Sequence, residues 1–246
     1  MSSSTFQHPY PRRVVWRGFL RQLLKLLLFF LCRVEVIGRE NLPNKGPYLL
    51  VANHFHYLDP AFVIYATRPI PLEFLGGAVF ADPPWHVAQI PKLWGFYEVV
   101  RGGASRNAMR AAEEVLAQDG FLCVFPEAGS WASVLRPARP GSALIAVQSG
   151  APIIPIGLTG VEGIIPSWKR WRRGRVTVRI GRPFGPFVVE GRGRKRRAEL
   201  DQISKEIMLS LKRLLPPEKH GVFSDDPVLR AEAEEVAEYP FHEWMG

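Results

Sequence analysis

Cysteine is scarce in this chain, with two in 246 residues, Cys32 and Cys123. Neither falls in a Cys-x-x-Cys or Cys/His spacing, which argues against a structural zinc site and a disulfide framework. Long apolar runs are also missing. The uncharged stretch 26–32 is the core of the most hydrophobic segment, and it is far shorter than the roughly 20 residues needed to cross a bilayer. No fixed-period repeat stands out, and no Gly-x4-Gly-Lys-Ser/Thr loop is present to cradle a nucleotide phosphate. Ser130 lacks the Gly-x-Ser-x-Gly elbow of a serine hydrolase. His54 and His56 stand two apart, but no third ligand follows at metal spacing, so no metal is expected. Acidic residues are outnumbered, 23 against 32 Lys+Arg, for a formal net charge of +9. Such a balance favours an anionic partner: nucleic acid, acidic lipid or a phosphorylated substrate.

What is present is a chain of strand and helix patterns in alternation. Residues 1–11 read as a flexible lead-in. Residues 14–32 read as a helix in which Arg17, Arg21 and Lys25 fall four apart, a basic stripe on a circumference of Leu, Phe, Val and Trp. A strongly apolar helix with one basic stripe fits a segment lying in a membrane interface. The alternative is a helix packed on the protein's own core. Lys25 interrupts the apolar region and no small-x-small site follows Cys32, which argues against a signal peptide.

Strands are expected at 34–38, 47–52, 121–125, 152–158 and 176–181, the last near a sheet edge. Helices are expected at 61–66, 107–118, 141–149 and 195–215, with Pro216-Pro217 stopping the last. Between residues 71 and 91, Gly76-Gly77, Pro83-Pro84 and Pro91 break the pattern, leaving only a short strand at 72–75. Residues 92–103 read as a loop into a short strand ending at Arg101. Strands alternating with helices imply an α/β domain, with a largely parallel central sheet flanked by helices. The organisation expected is an N-terminal amphipathic, membrane-associated helix (1–33), an α/β domain (34–216) and an acidic C-terminal tail (217–246) with a short helix after Pro227.

The stretch Asn53-His54-Phe55-His56-Tyr57-Leu58-Asp59-Pro60 joins a buried strand to a helix. Asp59 suits an N-cap and Pro60 a first helical residue. On one continuous helix, residues five apart point about 140° away from each other. A loop instead lets the Asp59 carboxylate fold back onto the His54 imidazole. A His held by an Asp is the arrangement of a general base, because the carboxylate fixes the tautomer and stabilises the imidazolium. The carboxyl ends of parallel strands are where sites form in such sheets. His54, Arg101 and Glu127 each follow an expected strand, so they can share one cleft.

Four blocks occur in order: His54-x4-Asp59; Gly95-Phe96-Tyr97-Glu98-Val99-Val100-Arg101; Phe125-Pro126-Glu127-Ala128-Gly129-Ser130; and Ala151-Pro152-Ile153-Ile154-Pro155-Ile156. Together they resemble the glycerolipid acyltransferase family, the group containing the 1-acylglycerol-3-phosphate acyltransferases, over roughly residues 34–185. The resemblance implies transfer of a fatty acyl group from a thioester, acyl-CoA or acyl-carrier protein, to a lipid hydroxyl, without a further cofactor. It makes His54 and Asp59 the catalytic pair and puts Arg101, Glu127, Gly129 and Ser130 at the acceptor. The family's third block usually reads Phe-Pro-Glu-Gly-Thr-Arg-Ser. Here Ala128-Gly129 replace Gly-Thr and Ser130 stands at the Arg position. Arg136 or Arg139 is then the candidate to supply the missing cation, or the acceptor has no phosphate there.

Residues 168–197 carry twelve Lys and Arg, one acid (Glu190), and Trp168 and Trp171. Basic residues interleaved with Trp suit nucleic acid and equally a membrane surface, where indoles sit at headgroup level. A solvated charged face is the third reading. The N-terminal helix tilts the expectation to membrane lipids and an anionic surface, with no nucleic acid, at the cytoplasmic face as a peripheral or monotopic protein.

Overall fold

The computed structural model describes residues 6–76, 85–99 and 106–237. The chain runs α1 (Val14–Leu31), β1 (Cys32–Ile37), β2 (Tyr48–Ala52), α2 (Asp59–Ala66), β3 (Leu72–Gly76), α3 (Trp85–Trp94), β4 (Tyr97–Glu98), α4 (Arg106–Ala117) and β5 (Phe121–Val124). It continues through α5 (Gly141–Ser149), β6 (Ile153–Thr159), α6 (Ile164–Lys169), β7 (Gly174–Ile180), α7 (Gly193–Lys212) and α8 (Pro227–Ala237). The strands form one seven-stranded sheet in the order β1-β7-β6-β2-β5-β3-β4. β6, β2, β5, β3 and β4 run parallel, β7 pairs antiparallel with β6, and β1 pairs parallel with β7. The sheet is therefore largely parallel, as the sequence pattern implied.

The middle strands read as unbroken apolar runs because both of their faces are covered. Leu50 lies between Cys123 and Ile154 in register, and these three point to the face covered by α1 and α2. Their neighbours Leu49, Val51, Leu122, Val124 and Ile153 point to the other face, under α4, α5 and α7. Helix α4 supplies Ala108, Ala112 and Val115, and α7 supplies Ile203, Ile207 and Leu211. Each such aliphatic side chain taken out of water contributes about 1.5–3 kcal/mol. This two-sided burial fixes β2 and β5 as the rigid centre from which the loops after them project.

Helix α3 is where the sequence pattern misled. Pro91 lies inside it, although proline removes a hydrogen bond and usually breaks a helix. Pro91 falls in the last turn, where the carbonyl of Pro91 accepts from the amides of Gly95 (2.7 Å) and Phe96 (2.9 Å). Trp94 then pins the helix end to the sheet through an Nε1–H bond to the Leu72 carbonyl, at 3.0 Å. That long-range bond is invisible to local periodicity.

Helix α1 packs part of its basic stripe onto the sheet. Arg17 and Arg21 face inward while Lys25 is exposed: Arg17 is 1% exposed, and its Nε donates to the Trp94 carbonyl at 3.0 Å. Its guanidinium pairs with the buried carboxylate of Glu73, Nη2 to Oε2 at 2.8 Å. Arg21 donates to the Ile70 carbonyl. The large apolar side chains Val15, Phe19, Leu23, Leu26, Leu27 and Phe30 are left outside. The helix is both packed on the core, by way of Arg17 and Leu28, and apolar on its outer surface. No described helix is long and apolar enough to cross a membrane.

Residues after Pro216 fold back on the domain. The Leu135 amide donates to the Lys219 carbonyl at 3.0 Å, and the Val222 amide donates to the Leu135 carbonyl at 3.2 Å. Gly221 sits at φ +54, and a Cβ there would meet the Leu135 oxygen at 2.0 Å, so only glycine fits.

Candidate active site

His54 sits in the six-residue loop, residues 53–58, between β2 and α2, at the carboxyl end of a central strand. Asn53 sets where that loop begins. Its side chain continues the strand pairing, Nδ2 donating to the Leu158 carbonyl (3.0 Å) and Oδ1 accepting from the Leu158 amide (2.7 Å). The sequence signal for this is a polar residue closing an apolar strand, which by itself does not name the partner across the sheet.

Asp59 accepts at a single oxygen, Oδ2, from three donors. His54 Nδ1 lies at 3.0 Å, and the amides of Phe55 and His56 each at 2.7 Å. The expected N-cap geometry is reversed in detail. The helix begins at Asp59 itself, with Leu58 before it, and the carboxylate turns back into the loop rather than forward to helical amides. The loop thus wraps around the carboxylate. His54 and Asp59 are 7% and 1% exposed. The imidazole stacks on Phe125, the first residue after β5, with centroids 4.3 Å apart. Held by Asp59 at one nitrogen and by Phe125 on its face, the ring has one orientation.

Beneath this pair lies a second one. Glu127 is buried and accepts from Arg136 Nη2 at 2.8 Å and from the His54 amide at 3.4 Å. Arg136 Nη2 also donates to the Gly129 carbonyl. The guanidinium lies 3.5 Å from the centroid of the Trp131 ring. Arg136 is itself 1% exposed, and its Nε and Nη1 have no hydrogen-bond partner. Burial pushes the Glu127 carboxyl up to about 8, against the pull of Arg136. Burial likewise lowers the Arg136 guanidinium, with Glu127 opposing. The attraction of Arg136 thus repays only part of the cost of burying the Glu127 carboxyl.

The remaining expected residues fall as follows. Gly129 is buried and Ser130 half-buried in the same loop. A Cβ on Gly129 would come within 2.4 Å of the Trp131 ring, so glycine here lets Trp131 fold back over Arg136. Ala128 occupies a left-handed conformation, φ +60, at the position where the resembled motif has Gly. Arg139 is exposed, with its amide bonded to the Pro126 carbonyl at 2.8 Å. Arg101 lies outside the described residues. His56 is half-buried and uses Nδ1 to accept from the Leu58 amide at 3.3 Å. Burial lowers its pKa, with Asp59 opposing. Among the described residues, no group of His, Cys, Asp and Glu could hold a metal ion.

The model of a family described as Acyltransferase matches residues 33–159, which take in both the His54–Asp59 loop and Glu127. The chain belongs to this acyltransferase family. A mouse 1-acyl-sn-glycerol-3-phosphate acyltransferase alpha is 30% identical over 186 residues, 69% of this chain and 62% of its own length. A Streptococcus pneumoniae 1-acyl-sn-glycerol-3-phosphate acyltransferase is 28% identical over 178 residues, 68% of this chain and 61% of its own. The chain thus spans less than two thirds of the length of these two curated relatives. The crystal structure of the 1-acyl-sn-glycerophosphate acyltransferase PlsC from Thermotoga maritima superposes with a TM-score of 0.54 at 26% identity. That match covers 81% of this chain and 84% of the other. The acyltransferase fold therefore extends well beyond the family-matched segment.

Proposed function

We propose that the protein transfers a fatty acyl group from a thioester, acyl-CoA or acyl-carrier protein, to a hydroxyl of a lysophospholipid-like acceptor such as 1-acylglycerol-3-phosphate. The observation that carries this is the 3.0 Å contact of His54 Nδ1 with Asp59 Oδ2 at the carboxyl end of β2. With Nδ1 held by the carboxylate, Nε2 is the basic nitrogen. It takes the proton of the acceptor hydroxyl as that oxygen attacks the thioester carbonyl carbon. The tetrahedral intermediate collapses, the C–S bond breaks, and the imidazolium returns the proton to the departing thiolate. Asp59 holds the tautomer and stabilises the cation, as in other His–carboxylate pairs. Loop N–H groups are suited to the oxyanion.

Arg136 is the best candidate among the described residues for the cation that Ser130 does not supply. It is fixed by Glu127 and Trp131 and keeps two unbonded donors. Ser130 at the motif's Arg position also favours a second reading, the same chemistry on a glycolipid or amino-lipid acceptor without that phosphate. The apolar outer face of α1 supports attachment to a membrane surface without crossing it.

Incubation with acyl-CoA and a mixed lysolipid extract, followed by lipid mass spectrometry, tests the assignment. The expected product is one acyl chain heavier than its acceptor. His54→Ala should reduce its formation by at least about 10²–10⁴, the usual range for losing a general base. Undiminished transfer by the mutant would overturn the role given to His54. Acceptors with and without a phosphate separate the two readings.

A further inference from the structure

The expected membrane-facing helix and the expected basic Trp-rich block are far apart in sequence, yet they meet. Arg173, at the entrance to β7, donates from Nε (3.2 Å) and Nη2 (2.6 Å) to the carbonyl of Cys32, where α1 becomes β1. Its guanidinium lies 5.2 Å from the Phe29 ring of α1. At this junction is an open pocket of about 670 Å3, lined by Lys25, Arg33 and Arg173 together with Leu26, Phe29 and Tyr65. No acid lines it. Arg68 adds a fourth cation beside it, 4.2 Å from the Tyr65 ring centroid. The end of α6 and the turn after it present Trp168 (61% exposed) and Trp171 (96% exposed).

We propose that this pocket binds the phosphate of an anionic glycerophospholipid in the membrane surface. A free inorganic anion would use the three cations and leave Leu26 and Phe29 without a function. A lipid uses both, with its phosphate among the cations and its chains along the apolar outer face of α1. The two exposed indoles match the headgroup level of a bilayer. Topology gives the site a purpose. β7 runs against β6, with Thr159 beside Thr177, so the starts of β7 and β1 lie at the same end of the sheet as the carboxyl end of β2. Three strand spacings separate β1 from β2, about 14 Å. A lipid held here seats the bilayer at the catalytic end, beside but apart from His54.

The inference rests on the membrane reading of α1, and the experiment separates the two. Full-length protein is floated with phosphatidylcholine vesicles, alone and with added phosphatidylglycerol. The triple variant Lys25→Gln, Arg33→Gln, Arg173→Gln should lose roughly a hundredfold in affinity for the anionic vesicles, about fivefold per cation. A control triple at the start of α7, Arg192→Gln, Arg194→Gln, Arg196→Gln, removes the same charge and should change binding little. Equal losses in both triples would mean a diffuse field and overturn the proposal. Arg33→Gln alone, on an exposed side chain, gives the same reading if the triple melts early. Competition by inorganic phosphate as effective as by dihexanoyl phosphatidylglycerol would overturn the lipid assignment. The Phe19→Glu, Phe30→Glu variant should fail to float with either vesicle. Flotation of wild type with neither vesicle would remove the membrane reading itself.

Discussion

Arg17 of α1 and Glu73 of β3 form a buried ion pair, Nη2 to Oε2 at 2.8 Å, with side chains 1% and 0% exposed. Arg12 meets the same carboxylate through Nε at 2.9 Å. One acid thus ties the N-terminal segment to the sheet and decides which face of α1 looks outward. Glu73→Ala leaves Arg17 charged and buried without its partner, so stability should fall by about 3–5 kcal/mol. Glu73→Ala combined with Arg17→Met should recover much of that loss. Chemical denaturation midpoints of the two variants check it.

The three donors converging on Asp59 Oδ2 predict a specific defect for Asp59→Asn. The amide can still occupy the loop, but it does not hold the His54 tautomer. Turnover should fall by up to about 10⁴, with KM changed far less. Steady-state kinetics over acceptor concentration separate the two parameters. A mutant that raised KM alone would place Asp59 in binding rather than in orienting the base.

Glu127 makes stability pH-dependent in a definite direction. Its folded pKa is raised to about 8 by burial, from 4.5, so the folded state holds a proton that the unfolded chain gives up. The contribution is fully present below the unfolded value and is lost as pH rises through the folded one. Between these limits the wild type should lose about 1.4 kcal/mol per pH unit from this group. In Glu127→Gln that slope disappears. The difference between the two denaturation curves from pH 5 to 8 isolates it, and parallel curves would refute it.

Ala128 carries φ +60, where its Cβ is unfavourable. Ala128→Gly should therefore stabilise the protein by about 0.5–1 kcal/mol, the relief of left-handed strain less the entropy glycine adds to the unfolded chain. A higher urea midpoint with unchanged denaturant slope is the expected result.

Much of the fold was legible because its signals are local. The both-faces-buried runs of β2, β5 and β6 have no polar alternation, and α4 and α7 show helical periodicity ending at clear breakers. α3 was missed because the contact that holds its end, Trp94 to Leu72, spans 22 residues. The His54–Asp59 pairing was legible for a similar reason: a short loop between them leaves the carboxylate little else to reach.

The sequence alone determined which chemistry is available: the pair in the first loop, the glutamate after β5, the basic excess, and the serine where an arginine was expected. The tertiary structure decided where those groups point. Arg17 and Arg21 read as part of one basic stripe by spacing, and helical periodicity defines such a face but not its direction. Glu73, a single buried acid on a distant strand, turns that face inward, since an unpaired carboxylate in the core costs more than exposing apolar side chains on α1. Arg136 and Arg139 were equal candidates by sequence, and packing places them differently. Burial beside Glu127 and under Trp131 gives Arg136 a fixed position, while the Arg139 side chain is left at the surface.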